Sequence, residues 1–571
     1  MFSKVYKTFL IFSFSLLLLR LVYLQIIRGG DFYHMSVNNY LRVLPLPGFR
    51  GNILDRYGQE LAGNKLGFAI QVLPDRIKNK SEILDIIGRE FNLDAGELED
   101  VYRKQFKAPF APVTLVEDAA VKKALLFKEK YRDISGLLVS EEIRRYYPYN
   151  SFAAHVLGYL GEISDQELTE LKPYGYRYSS LIGKSGVEKT LEPYLKGRDG
   201  GMLVKVDNKG RIIEVLSKEE PERGLDVYLT LDLDLQKKAE ELMADKRGCF
   251  LVLDVKTAEI LVFVSSPGFD PNMFLYPRKY NMASFLSSKT QPFFNRAIQA
   301  EYSLGSIFKL LVAIAGIEKG GISPQTKFFC PGFFDFKGRK YKCWKDEGHG
   351  WQGLKDAIVH SCNVYFYQAG LETGVKNIVS YGEIFGFGKK TGIDLPYESS
   401  GLLPNPEWKL KKKKEVWYPG DTINLSIGQG YLLVTPIQVL RFITAIANGG
   451  YMLTPVVCKS ISGEETYRKK DERIPVSSET LSFIRDAMRR VVNSYTGTGQ
   501  FAKVGDFVCG KTATIQTPHG VSHAVFAGFA PYKNPEIAFL VFVEHGGGGG
   551  FVTARTAKNF LEYYFDRNSR K

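Results

Sequence analysis

The residues from Thr8 to Ile27 are almost all apolar, and as a helix they would span about 30 Å, the depth of a bilayer's hydrocarbon core. Such a segment leaves a chain two options: it stays in a membrane as an anchor, or it is cut away as a signal peptide. The uninterrupted apolar core, Phe9 to Leu19, is short enough for a signal peptide. No small-x-small cleavage pattern follows it, however, and Ile26-Ile27-Arg28 continues the run, so an uncleaved anchor over residues 1–28 is expected. Lys4 and Lys7 precede it, which keeps the short tail cytoplasmic and puts everything after it outside the plasma membrane. Arg20 either snorkels to the interface or faces a partner helix.

The remaining chain has ample material for folded domains. It has 571 residues, 44% hydrophobic and 13% aromatic, which excludes disorder. The net charge of +14 is spread along the sequence with no nucleic-acid motif, so attraction to an anionic surface or polymer fits better than nucleic-acid binding. Only Lys409 and Lys411 to Lys414 make a compact basic run, read as a solvated loop. Residues 29–224 are mixed and interrupted. Within them Ser81 to Phe106 is charged and helical in period, as in a small α/β subdomain inserted at about residues 68–135. From 225 to 571 the pattern becomes that of one compact domain. Cys249 to Ser265 reads as a hairpin around Lys256-Thr257-Ala258-Glu259. Val508 to Ile515, Ala524 to Phe529 and Ile537 to Val543 read as strands, and Thr553 to Phe565 as a closing helix. The fold class is α+β, an antiparallel sheet with flanking helices.

The chemistry lies in three separated segments. In Ser303-Leu304-Gly305-Ser306-Ile307-Phe308-Lys309 a glycine turn runs into an apolar helix that ends at Gly320-Gly321, so Ser306 and Lys309 share one helix face. A serine hydroxyl needs an adjacent base, and a buried lysine near other cations can serve. Downstream, Ser361 and Asn363 lie two apart and can both face one cleft from a tight loop. Much later, Lys511-Thr512-Ala513-Thr514 offers a cation and two hydroxyls on one strand face, suited to a carboxylate. Alone, S-x-x-K is more often a helix start with a surface lysine. The three segments in this order form a known serine-acylation signature.

With these motifs the chain resembles a class B penicillin-binding protein almost end to end. Arg50-Gly51-Asn52-Ile53-Leu54-Asp55-Arg56-Tyr57-Gly58, Gly183-Lys184-Ser185-Gly186-Val187-Glu188 and Leu231-Asp232 look like further segments of that family. Asn424-Leu425-Ser426-Ile427-Gly428-Gln429-Gly430-Tyr431 is closer to its elongation-specific branch than to the division paralogue. The resemblance implies a transmembrane helix, a pedestal domain over 29–224 and a transpeptidase domain over 225–571. It implies that Ser306 attacks the penultimate D-alanine of a peptidoglycan stem peptide, with Lys309 as base and Ser361 and Lys511 relaying a proton to the departing amine. Asn363 would then hold the donor amide and Thr512 and Thr514 the terminal carboxylate, with backbone N–H groups of Ser306 and Thr514 as oxyanion hole. Penicillins would acylate the same serine. A RodA-like SEDS glycosyltransferase would be the partner, and the catalytic domain would be periplasmic. A β-lactamase or β-lactam sensor, and a scaffold without catalysis, are the competing readings.

Three departures from the family pattern stand out. Leu304 replaces a proline, Ile307 a threonine, and Ala513 the glycine of the third motif, where a methyl group is expected to crowd the strand face. The cysteines leave two alternatives. Cys330, Cys343, His349 and Cys362 make a structural zinc set, in line with a metal site known in some elongation-type members, whereas Cys330 with Cys343 could form a disulfide. With zinc, Cys362 would turn away from the cleft that Ser361 and Asn363 face. Cys249, Cys458 and Cys509 read as buried thiols. The glycine run 546–550 reads as a flexible rim beside the third motif.

Overall fold

The computed structural model describes residues 2–46, 48–106, 109, 111–178, 180–207, 212–276, 282–466, 472–517 and 520–569. These fall into two compact units. One comprises residues 1–51, 64–145 and 196–224, the other 52–63, 146–195 and 225–571. The second unit thus takes in two segments that the sequence assigns to the pedestal.

In the first unit the helix Phe2–Val22 continues through a wider turn at Tyr23–Ile27, and Lys4–Ile27 is long and apolar enough to cross a membrane. A three-stranded antiparallel sheet follows, ordered Leu41–Leu46, Gly200–Val206, Ile212–Glu219. The inserted subdomain has its own core, with Ile83, Leu84 and Ile87 packed on Phe68, Ile70, Val72 and Leu115. The stretch from Ser81 to Phe106 that is helical in period forms two helices, Lys80–Phe91 and Ala95–Gln105. Asn92 ends the first in the left-handed region (φ 55°), and Asp94 starts the second by accepting from Glu97 N.

In the second unit a five-stranded antiparallel sheet is built from β1 (Gly248–Asp254), β2 (Ile260–Ser266), β3 (Cys509–Ile515), β4 (His523–Ala530) and β5 (Ile537–Val543), in the order β2-β1-β5-β4-β3. Its residues are buried along nearly their whole length because both faces are covered. Phe250, Val252, Phe539 and Val541 pack under α1 (Leu233–Met243) and the closing helix Val552–Ser569. Cys249, Leu251, Leu540 and Phe542 face the opposite core, which holds α2 (Phe308–Lys319). Every residue of α2 from Phe308 to Gly316 is buried, which explains why its sequence is apolar all round. Gly320 closes it at φ 72°.

The basic run departs from its reading as a loop. Asn405 caps a helix over Pro406–Lys413 by accepting from Trp408 N, and Pro406 occupies its first turn. The lysines lie at its C-terminal end, where the helix dipole favours cations. Lys409 turns inward and is buried.

Candidate active site

Three elements converge on one cleft. Ser306 lies in the short 3₁₀ turn Gly305–Ile307 that leads into α2, and Lys309 lies on the first turn of α2. Gly305 adopts φ 60° and donates its N–H to Gly428 O at 2.9 Å. The second segment is the link between α3 (Leu354–Val359) and α4 (Asn363–Thr373). Ser361 sits there at φ 54°, a left-handed conformation uncommon outside glycine and found at functional sites. The third is β3, an edge strand of the sheet.

The polar side chains form one network. Lys309 Nζ donates to Ser361 O at 2.7 Å, to Asn363 Oδ1 at 2.7 Å and to Ser361 Oγ at 3.3 Å. Lys511 Nζ donates to the same Ser361 Oγ at 2.9 Å. Both lysines are fully buried, and the described residues offer neither a carboxylate ion-pair partner. Burial therefore lowers Lys309 to about 8. Burial also holds Lys511 well below its usual range, and the Lys309 charge adds to the effect. Among the described residues Ser306 Oγ has no hydrogen-bond partner, so the resting Lys309 is held by the second segment.

Ser306, Ser361, Asn363, Thr512, Ala513 and Thr514 all line a cavity of about 400 Å³. The pleat of β3 separates groups that were expected on one strand face. Thr512 Oγ1 donates to Thr498 Oγ1 at 2.9 Å, and Thr514 Oγ1 accepts from Gly549 N at 3.2 Å, on the side opposite Lys511 and Ala513. Ala513 is 2% exposed and borders the cavity. It packs toward the Gly305–Ile307 turn, where a Cβ on Gly305 would stand 3.3 Å from the Ala513 methyl. Leu304 and Ile307 point into the core. The glycine run does lie beside β3: a Cβ on Gly549 would meet Ala513 O at 2.0 Å, so glycine is required there.

Further lining residues were not singled out from the sequence. Thr498 left only a Gly-Thr-Gly turn as a signal, while Ile427 and Gln429 belong to a segment read for family likeness alone. Trp344 left none. Its indole N–H donates to His360 O at 3.0 Å and Ser361 O at 3.1 Å, while the ring stays 57% exposed at the cavity. A larger cavity of about 1220 Å³, bordered by Lys390, Asp394 and Arg441, contains none of the three motifs.

Behind the second segment, the ligand atoms of Cys330, Cys343, His349 and Cys362 lie within 4.8 Å of one another. His349 Nδ1 is 3.5 Å from the sulfurs of Cys330 and Cys343. All six cysteines are free, so the Cys330–Cys343 disulfide is not formed. A hydrogen bond between the two thiols holds Cys343 below its ordinary value and pushes Cys362 up. Cys362 is fully buried and caps α4, accepting from Tyr365 N, while its neighbours Ser361 and Asn363 line the cavity.

Known proteins are similar to this chain in both sequence and fold. Residues 248–562 match the penicillin binding protein transpeptidase domain, and residues 45–229 the penicillin-binding protein dimerisation domain. The peptidoglycan D,D-transpeptidase MrdA of Acinetobacter baumannii is 34% identical, with 98% of this chain and 88% of that protein covered. The Escherichia coli K12 protein of the same name is 32% identical over 94% of this chain and 90% of its own. A solved complex of penicillin-binding protein PBP2 with MreC from Helicobacter pylori matches with a TM-score of 0.79 at 31% identity, covering 92% of this chain and all (100%) of that one. Pseudomonas aeruginosa PBP2 in complex with WCK 5153 matches with a TM-score of 0.71 at 29% identity, covering 92% and 96%. With both domains matched and MrdA relatives aligned over nearly its whole length, the chain belongs to the penicillin-binding proteins, in their MrdA, or PBP2, branch.

Proposed function

We propose that this chain is a membrane-anchored serine D,D-transpeptidase that cross-links peptidoglycan stem peptides during cell-wall elongation, with Ser306 as nucleophile. The observation that carries this reading is the convergence of Lys309 and Lys511 on Ser361 Oγ, at 3.3 and 2.9 Å, in the cavity that Ser306 lines. Ser306 Oγ attacks the carbonyl carbon of the penultimate D-alanine and its proton passes to neutral Lys309. Backbone N–H groups of Ser306 and Thr514 hold the oxyanion, a kind of donor worth about 100 to 1,000 fold in rate. As the C–N bond breaks, the departing amine of the terminal D-alanine takes a proton through Ser361 from the lysine pair. The acceptor amine then attacks the ester carbonyl, its proton passes to Lys309 and on to Ser306 Oγ as the C–O bond breaks, and the serine is freed. Asn363 holds the donor amide, Thr512 and Thr514 the terminal carboxylate, and Ala513 backs the strand. Penicillins acylate the same serine. No aspartate or glutamate is among the described residues lining the cavity, which supports transfer to an amine over rapid hydrolysis.

The Cys330, Cys343, His349 and Cys362 set fits zinc. Tetrahedral Zn–S and Zn–N bonds of about 2.3 and 2.0 Å put neighbouring S and N ligands about 3.5 Å apart, in line with the 3.5 Å contacts of His349. Zinc there would act structurally, tying the segment from Cys330 to His349 to the loop that carries Ser361. The apolar helix and Lys4 and Lys7 support a periplasmic catalytic domain. The H. pylori complex with MreC, and a likeness at 29% identity and TM-score 0.75 to a peptidoglycan synthase complex solved for the coordination of polymerisation and cross-linking, support elongation-complex partners, including a RodA-like SEDS glycosyltransferase.

The test uses fluorescent penicillin and, separately, uncross-linked peptidoglycan bearing pentapeptide stems. The wild type should retain the label for many minutes and release D-alanine in step with new cross-links, and Ser306→Ala should do neither. Rapid loss of the label, or D-alanine release without cross-links, would overturn the transpeptidase reading.

A further inference from the structure

The nucleophile loop has a neighbour whose surface the reaction does not use. Residues 428–434 run beside it: Gly428 O accepts from Gly305 N at 2.9 Å, and Tyr302 and Val434 exchange backbone hydrogen bonds of 2.9 and 2.8 Å. Ile427 and Gln429, at the start of this stretch, line the cavity. Tyr431, two residues beyond Gln429, packs its ring on Trp408 at 5.3 Å, with Lys413 Nζ 5.7 Å above it. The basic helix Pro406–Lys413 is therefore joined to the cleft wall through Tyr431.

The positive charge on that helix exceeds its one acid, Glu407 in the first turn. Lys409 is buried and takes Asp421 at 2.7 Å and Glu415 at 3.4 Å, so the two acids beside it are already engaged. Lys411, Lys412, Lys413 and Lys414 are all exposed, and none has an ion pair or hydrogen bond among the described residues. A helix C-terminus offsets about half an elementary charge, well short of four adjacent ammonium groups. Exposed Leu410, Val416 and Tyr418 are interleaved with them, at 56%, 55% and 57%. Such a surface suits a ligand with several carboxylates and short apolar side chains. A stem peptide entering the cleft has that chemistry.

We propose that the C-terminal half of the helix Pro406–Lys413, together with Lys414, is a subsite for the carboxylates of an acidic stem peptide outside the cleft. The subsite raises local substrate concentration and leaves the bond chemistry untouched. This inference rests on the transpeptidase reading above.

The test replaces Lys411, Lys412, Lys413 and Lys414 together, once by Gln and once by Glu, in the full chain. The probe is soluble, uncross-linked peptidoglycan with pentapeptide stems. In the Gln variant KM should rise about tenfold with kcat unchanged, and further in the Glu variant. The wild-type KM should rise with salt, and the Gln variant's should respond much less. Penicillin acylation, measured on the same preparations, should stay at the wild-type rate. A wild type that penicillin does not acylate would instead count against the transpeptidase reading itself. An unchanged KM and salt response in both variants would overturn the subsite. So would a loss confined to binding of phosphatidylglycerol vesicles, which would assign the lysines to the membrane surface.

Discussion

Lys309 and Lys511 reach the same hydroxyl from two sides, and two buried ammonium groups that close repel. Burial lowers Lys309 to about 8, so its neutral amine prevails above that pH and its ammonium below. Penicillin acylation should therefore climb roughly tenfold per pH unit below about pH 8 and level off above it, read by stopped-flow fluorescence. Lys309→Arg, cationic throughout, should abolish acylation at every pH tested. Trp344 gives a second residue-scale expectation. Ser361 O accepts from both Lys309 Nζ and the Trp344 indole, and Ser361 is held in a left-handed conformation. Trp344→Phe keeps the ring and loses the N–H, so the acylation rate should fall about 5 to 10 fold, as expected for one net hydrogen bond, with little change in melting temperature. A third concerns Gly305. Gly305→Ala adds a Cβ 3.3 Å from Ala513 Cβ at φ 60°, and should cost about 1–2 kcal/mol in denaturant unfolding, part of it restored by Ala513→Gly.

At the scale of elements, the segment from Cys330 to His349 and the loop carrying Ser361 act together. Cys362 belongs to the Cys3His cluster proposed above to hold zinc and is also the N-cap of α4, so whatever holds its sulfur fixes the turn from Ser361 to Asn363. The zinc proposed there is expected at a metal-to-protein ratio near one in purified protein, and a chelator, or Cys330→Ser, should bring that ratio toward zero, lower the melting temperature and slow penicillin acylation. Elements whose signal is local were legible in the sequence. Helix α2, the β1–β2 hairpin and β3, β4 and β5 fall within a residue or two of their expected bounds because apolar runs, a glycine cap and turn residues mark them. The break at Asn92 was carried by capping residues that the helical period hid. Other features depend on neighbours distant in sequence. Lys409 turns inward only because Asp421 and Glu415 await it, and Trp344 matters only because the fold brings Ser361 O to its indole. The face of each β3 side chain was readable from the period of two, yet Thr512 and Thr514 were grouped with Lys511 by chemistry alone.

At the scale of the whole molecule, the catalytic unit is discontinuous in sequence. Asp55, fully buried, accepts from Leu233 N at 3.3 Å, Arg56 pairs with Glu259 at 3.2 Å, and Asn272 bonds the backbone of Tyr147 at 2.9 and 3.1 Å. A chain that begins at Leu225 should consequently be poorly soluble or melt well below one that begins at Gly29. The longer chain should stay soluble and keep its penicillin acylation, since only the apolar span is lost. The central claim is that Ser306 is the acylated residue, and peptide mapping by mass spectrometry after reaction with a penicillin tests it most directly. One penicillin adduct should be found, on the peptide carrying Ser306, with none in Ser306→Ala. An adduct on another residue, or equal labelling of Ser306→Ala, would contradict the account.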